Sequence, residues 1–168
     1  MKTKIYLLIS VLLSGLFSLA QNDSIPQAPY KRFPTVPPFK LLLTDSSTYF
    51  TKEDLAKKKA VLIMLFSPDC EHCKHETEDI IKHIDAFKKV QIVMSTTRPF
   101  DKMVDYYNKY DLKRFDNIIV GKDLNYLLPV FYEIHNLPFL SLYNKKKELI
   151  SVFEGALSIE KVLEKFDL

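Results

Sequence analysis

The stretch that decides the fold is AVLIMLFSPDCEHCKHE, residues 60–76. Its first seven residues are all apolar, which is the pattern of a strand covered on both faces of a sheet. A Pro-Asp pair then breaks the strand, and from Cys70 onward the spacing of apolar and charged residues is helical. Both cysteines of the chain, Cys70 and Cys73, therefore lie at a strand-to-helix junction.

Strand-like and helix-like patterns alternate on both sides of this junction. Strands are predicted at 39–43, 60–66, 91–96, 117–120, 137–143 and 148–154. Helices are predicted at 52–56, from residue 70 to about 87, and at 99–110, 124–134 and 158–166. The alternation predicts an α/β fold with a central mixed sheet flanked by helices. A short turn makes the last two strands a C-terminal β-hairpin, which the final helix follows.

The first twenty residues have the pattern of a secretory signal peptide. Lys2 and Lys4 precede an apolar run, and small residues at positions 18 and 20 fit a cleavage site. We expect cleavage after Ala20, with retention of the segment as an N-terminal anchor as the alternative. Residues 21–38 contain five prolines and are predicted to form an arm or linker, which leaves 39–168 as one folded domain.

Charge and cysteine content narrow the range of functions. The chain has 24 basic and 21 acidic residues, a balance too even to favour nucleic-acid binding. Exported proteins that use disulfides for stability carry several distributed cysteines, whereas this chain has one pair separated by two residues. A disulfide that closes so small a loop restrains little of the unfolded chain, so a reactive role is favoured over a structural one.

A C-x-x-C pair at the start of a helix has a specific chemical use. Unpaired backbone N–H groups and the helix dipole favour an anion there, and a thiolate is such an anion. Cys70 is therefore the expected nucleophile, and Cys73, about one turn later, is expected to resolve the mixed disulfide. His72, inside the ring that this disulfide closes, is expected to stabilise the thiolate of Cys70.

Other uses of the two cysteines need different partners. Covalent haem attachment requires a histidine directly after the second cysteine, and Lys74 is there instead. A structural zinc site requires four ligands, and the chain has no second cysteine pair. A copper or zinc site built from Cys70, Cys73 and His135 stays open. The alternative function is therefore a copper-binding or metallochaperone protein that uses these thiols and the histidine.

From about residue 37 to 166 the chain resembles thioredoxin-fold proteins and, more narrowly, exported thiol-disulfide oxidoreductases of the TlpA/ResA type. The residues that carry this resemblance are the apolar strand, the segment SPDCEHCKHE, and Leu137-Pro138 before a late strand. The resemblance implies disulfide exchange without a bound cofactor or metal. It also implies exported protein thiols and a redox partner protein as partners, a periplasmic or cell-envelope location, and no stable membrane span after signal cleavage.

The resemblance also implies roles for two further residues. In this family the late proline is cis and packs beside the disulfide, and Pro138 is the matching residue. Glu76 matches a glutamate near the active site of ResA-like members. The candidate site is therefore Cys70, Cys73, Pro138, Glu76 and His72.

The sequence departs from thioredoxins in two ways. It contains no tryptophan, although thioredoxins usually carry tryptophans just before the first cysteine. Met64 stands where thioredoxins have a buried acid, so their reducing potential does not transfer directly. Peroxiredoxins are less similar, because Ile63 stands where their active-site motif has a proline.

Overall fold

A computed structural model describes residues 27–168, which form a seven-stranded mixed sheet with helices on both faces. The strands are β1 (Lys40–Leu43), β2 (Tyr49–Thr51), β3 (Ala60–Leu65), β4 (Val90–Thr96), β5 (Ile118–Asp123), β6 (Phe139–Tyr143) and β7 (Leu149–Glu154). Their order across the sheet is β2-β1-β5-β4-β3-β6-β7. The central strands β3, β4 and β5 are parallel, and the pairs on either side are antiparallel.

Between residues 27 and 168, five α-helices lie against the sheet. They are α1 (Pro29–Arg32), α2 (Glu71–Lys82), α3 (Phe100–Lys109), α4 (Leu127–Tyr132) and α5 (Ile159–Lys165). Short 3₁₀ turns at Lys52–Asp54, Ile84–Phe87 and Leu112–Arg114 complete the connections. The predicted α/β architecture, with its mixed sheet, C-terminal hairpin and final helix, is confirmed.

Strand β3 is the centre of the core, because both of its faces are covered. Leu62 and Met64 face a hydrophobic cluster that includes residues of α2, α3 and α5. Val61, Ile63 and Leu65 alternate with them and face a second cluster that includes residues of α4. A strand packed on both sides needs apolar residues at every position, which explains the uninterrupted apolar run.

Several elements differ from the sequence-based prediction. The helix predicted from residue 70 to about 87 ends as α2 at Lys82 and is followed by the 3₁₀ turn Ile84–Phe87, and the helix predicted at 52–56 is the 3₁₀ turn Lys52–Asp54. Strand β2 was not predicted, and it forms because Asp45 closes a tight turn by accepting hydrogen bonds from the backbone N–H groups of Ser47 and Thr48. Strand β5 continues three residues beyond the predicted end, because β1 pairs with Gly121–Asp123 and keeps them extended. Helix α4 consequently starts later than predicted.

The described part of the proline-rich arm lies against the domain. Thr35 forms an isolated antiparallel bridge with Glu148, and Val36 is buried in the second hydrophobic cluster. Tyr30 of α1 packs against Tyr132 of α4, with ring centroids 6.0 Å apart. The predicted signal peptide lies outside the described residues. Within 27–168, no helix is both long enough and apolar enough to cross a membrane.

Candidate active site

Cys70 lies where the chain leaves β3 and enters α2. It is the N-cap residue of α2, and its Sγ accepts a hydrogen bond from the backbone N–H of Cys73 at 3.3 Å. A turn closed by a hydrogen bond from Cys70 N–H to the carbonyl of Ser67 precedes the helix. Cys70 is partly exposed, and both cysteines are free thiols. Its sulfur is therefore accessible and lies at the positive end of the helix dipole.

Cys73, one helical turn later, faces the core and has no exposed surface. Burial raises the pKa of its thiol well above the usual range, and the neighbouring Cys70 thiol and the charge of Glu76 raise it further. Burial disfavours the charged form of a thiol because a thiolate loses its hydration. The pair therefore consists of one accessible thiol and one buried thiol that holds its proton.

The loop before β6 forms the opposite wall of the site. The Leu137-Pro138 peptide bond is cis, and the carbonyl oxygen of Leu137 lies 3.8 Å from Cys70 Sγ. The carbonyl of Pro138 accepts a hydrogen bond from Gly155 N–H at 2.8 Å. The fold thus brings two sequence-predicted residues, Cys70 and Pro138, to the same place from positions 68 residues apart in the sequence.

Glu76 lies one turn beyond Cys73 on the buried face of α2, and only 2% of its surface is exposed. Its Oε2 accepts a hydrogen bond from the backbone N–H of Leu157 at 3.0 Å, whereas Oε1 has no partner within the described residues. Burial raises its pKa to about 7, against the lowering effect of the Leu157 hydrogen bond. A carboxyl group that titrates near neutral pH therefore lies close to the buried thiol.

Tyr106 of α3 forms hydrogen bonds with the first turns of α2. Its hydroxyl donates to the carbonyl oxygen of Cys73 at 3.1 Å and lies 2.8 Å from the hydroxyl of Thr77. Its ring packs on Phe66 at the end of β3, with centroids 4.7 Å apart. Tyr106 thus anchors the cysteine-bearing helix to the end of β3.

Glu154 at the end of β7 holds the loop that carries Leu137. Its Oε1 accepts from the backbone N–H of His135 at 3.3 Å, and its Oε2 accepts from the side-chain amide of Asn136 at 3.2 Å. Sequence reasoning missed this residue, because its only local context is the end of a strand. The pairing of β6 with β7 brings Glu154 next to the loop.

The histidines do not join the cysteines in a metal site. His72 is exposed, and no hydrogen bond joins its ring to a described residue. His135 lies with its Nδ1 3.5 Å from Glu154 Oε1. Across residues 27–168, no group of three or more His, Cys, Asp or Glu side chains is arranged to hold a metal ion.

Solved structures of other proteins resemble this one. A Neisseria meningitidis protein assigned as a thioredoxin superposes with a TM-score of 0.66 at 23% identity, over 80% of this chain and 88% of that one. A secreted Mycobacterium tuberculosis disulfide oxidoreductase gives 0.63 at 19% identity, over 76% and 93%. A Plasmodium vivax 2-Cys peroxiredoxin gives 0.63 at 18% identity, over 79% and 92%.

The chain has a thioredoxin fold. No protein-family model matches the sequence, and no curated protein matches it. Because oxidoreductases and a peroxiredoxin superpose about equally well, the thioredoxin fold alone does not select the reaction. The reaction has to be inferred from the arrangement of the two thiols.

Replacing Glu76 by glutamine should change how stability depends on pH. The folded-state pKa of Glu76, about 7, lies above its ordinary value of 4.5. Between these values the folded protein binds the proton more tightly than the unfolded chain, so this group makes the free energy of unfolding fall as the pH rises. Glu76→Gln should lack that fall. Its free energy of unfolding relative to wild type should therefore be higher at about pH 8 than at about pH 4, by on the order of 3 kcal/mol.

The measurement is urea unfolding of the reduced protein at both pH values. Glu78→Gln is the matched control, since Glu78 lies exposed on the same helix. The control should follow the wild-type pH dependence. Identical pH dependence for all three proteins would show that Glu76 does not titrate near neutral pH in the folded state.

Proposed function

We propose that this protein is a thiol-disulfide oxidoreductase that exchanges disulfides with exported proteins. The observation that supports the proposal is the asymmetry of the dithiol. Cys70 is accessible at a helix N-terminus, and Cys73, one turn away, is buried. An accessible nucleophile with a protected resolving thiol is the arrangement that disulfide exchange requires.

The exchange proceeds in two steps. The Cys70 thiolate attacks one sulfur of a substrate disulfide, forms a mixed disulfide, and releases the other substrate sulfur as a thiolate. The Cys73 thiolate then attacks Cys70 Sγ, which forms the Cys70–Cys73 disulfide and releases the second substrate thiolate. The substrate gains two electrons and the protein loses two. The reverse sequence oxidises a substrate dithiol.

Cys73 must lose its proton before the second step, and Glu76 is the proposed acceptor. With a pKa of about 7, its carboxylate is substantially populated at neutral pH and lies in the same buried environment. Proton transfer to Glu76 neutralises its carboxylate as the Cys73 thiolate forms, so the buried site carries one negative charge rather than two. Glu76→Gln should therefore also slow the second step.

The substrate chain is proposed to lie between Cys70 and the loop before β6. Leu137 and Pro138 border this space, and the carbonyl oxygen of Leu137 already lies near the reactive sulfur. Backbone groups beside Pro138 can then hydrogen-bond to an extended substrate without reading its side chains. Such recognition suits substrates of differing sequence.

We infer export and the class of partners from the sequence and from one comparison. The N-terminal pattern predicts a signal peptide, and the resembling Mycobacterium tuberculosis protein is named as secreted. We therefore place the exchange in the periplasm or cell envelope, with exported protein thiols as substrates and a second redox protein restoring the starting state. No resident cofactor or metal is needed for this chemistry.

The proposal is tested by trapping substrates in the native host. Cys73→Ser should accumulate mixed disulfides through Cys70 that a reductant releases, because the resolving step is removed. Cys70→Ser and the double serine variant are the controls and should accumulate none. Equal yields from Cys73→Ser and the double variant would refute exchange through Cys70.

The role proposed for His72 is tested separately by measuring the reduction potential of the Cys70–Cys73 disulfide. If the His72 ring stabilises the thiolate of Cys70, it stabilises the reduced form and makes the disulfide a better oxidant. His72→Ala should then shift the reduction potential negative by roughly 10 to 30 mV in a glutathione titration. His75→Ala, exposed one turn further along α2, is the control. An unchanged or more positive potential in His72→Ala would contradict the role.

A further inference from the structure

A lysine-lined pocket of about 460 Å³ lies away from the dithiol. Its basic lining residues are Lys89, Lys145, Lys146 and Lys165, and we call this set the basic end. Among the described residues, Asp167 is the one acidic side chain that lines the pocket. The four lysines are exposed, and none of them forms an ion pair with a residue of the described part of the chain. Their positive charge is therefore open to an external anion.

The basic end and the dithiol lie at opposite ends of the sheet. Ala60, the first residue of β3, lines the pocket, whereas Cys70 lies five residues beyond Leu65, the last residue of β3. Lys89 precedes the parallel strand β4, and Lys145 lies in the turn between β6 and β7 at the same end. Six residues of extended strand span about 20 Å, so a partner at the basic end leaves the dithiol uncovered.

The turn that carries Lys145 and Lys146 is held firmly. The Nζ of Lys147 donates to the carbonyl oxygens of Ala56 and Lys59, both at 2.8 Å. These contacts fix the β6–β7 turn against a neighbouring turn that contains two more exposed lysines, Lys57 and Lys58. The positive surface is thus a preorganised face of the domain.

The pocket also has an apolar side. Ile150 and Leu168 line it with 39% and 48% of their surfaces exposed, and Phe166 lines it half-buried. Exposed apolar side chains that line the same pocket as four lysines match the boundary between lipid headgroups and acyl chains. A soluble anion would satisfy the lysines and leave these side chains in water.

The N-terminal arm joins the domain at this same end. Val36 N–H donates to the carbonyl of Lys147 at 3.1 Å, and Leu149 N–H donates to the carbonyl of Pro34 at 2.8 Å. Residues 34–36 of the arm therefore lie beside the turn that carries Lys145 and Lys146.

We propose that the basic end docks on an anionic membrane surface and directs the dithiol away from the bilayer. The lysines bind phosphate-bearing headgroups, and the apolar side chains enter the headgroup region. The orientation presents Cys70 to protein substrates beyond the membrane. The docking surface does not depend on disulfide exchange, so either proposal can fail without the other.

The test is sedimentation with sucrose-loaded vesicles, using the full chain purified from membranes or periplasm, with its N-terminus determined by mass spectrometry. The quantity measured is the ratio of two partition coefficients, one for vesicles with about one third phosphatidylglycerol and one for pure phosphatidylcholine vesicles. A retained apolar segment contributes equally to both coefficients, so its contribution cancels in the ratio. Lys145→Glu/Lys165→Glu is the site variant, and Lys102→Glu/Lys109→Glu on α3 is the control with the same net charge.

The wild-type ratio should be high and should fall at high salt. The site variant should lower it by at least about tenfold, and the control by less than about twofold. A wild-type ratio near one, or equal losses in both variants, would overturn the proposal. Release by inorganic phosphate but not by chloride at equal ionic strength would also overturn it, because the pocket would then be a site for a small anion.

Discussion

The burial of β3 on both faces is the constraint on which the site depends. A strand whose every side chain is packed cannot turn within the sheet, so the chain must leave at the carboxyl end before it can reach water. The Ser67–Cys70 turn is that exit, and α2 must then fold back to cover one face of the strand. Cys70 is consequently held beyond the carboxyl end of a central strand and at the N-terminus of a helix.

The helical period then distributes the chemistry along α2. Residues three apart lie on one face of a helix, so Cys73 and Glu76 follow Cys70 inward, with Cys70 at the rim. The carboxyl of Glu76 retains only one hydrogen bond, from Leu157. One hydrogen bond does not offset the loss of hydration, and the pKa rises to about 7. The strand position six residues before Cys70 is the apolar Met64, and the buried carboxyl beside the dithiol comes from Glu76 of α2.

Local patterns were sufficient to predict the architecture and the dithiol. The apolar run, the Pro-Asp break and Leu137-Pro138 each carry their signal within a few residues. Glu76 was expected near the site, and its burial could have been read from its spacing to Cys73 and Ile80, which share the inner face of α2. The roles of Leu157 and Glu154 could not be predicted, because strand pairing and helix packing bring them to the site from distant positions. Strand β2 was missed because a three-residue strand is too short to show a period.

The central claim is that the fold makes one thiol reactive and protects the other. The most direct measurement is the alkylation rate of each cysteine in the reduced protein near neutral pH, followed by peptide mass spectrometry, with the urea-unfolded protein as reference. The account predicts that Cys70 is modified at least about a hundredfold faster than Cys73 in the folded protein, and that the difference disappears on unfolding. Equal rates in the folded protein would contradict it.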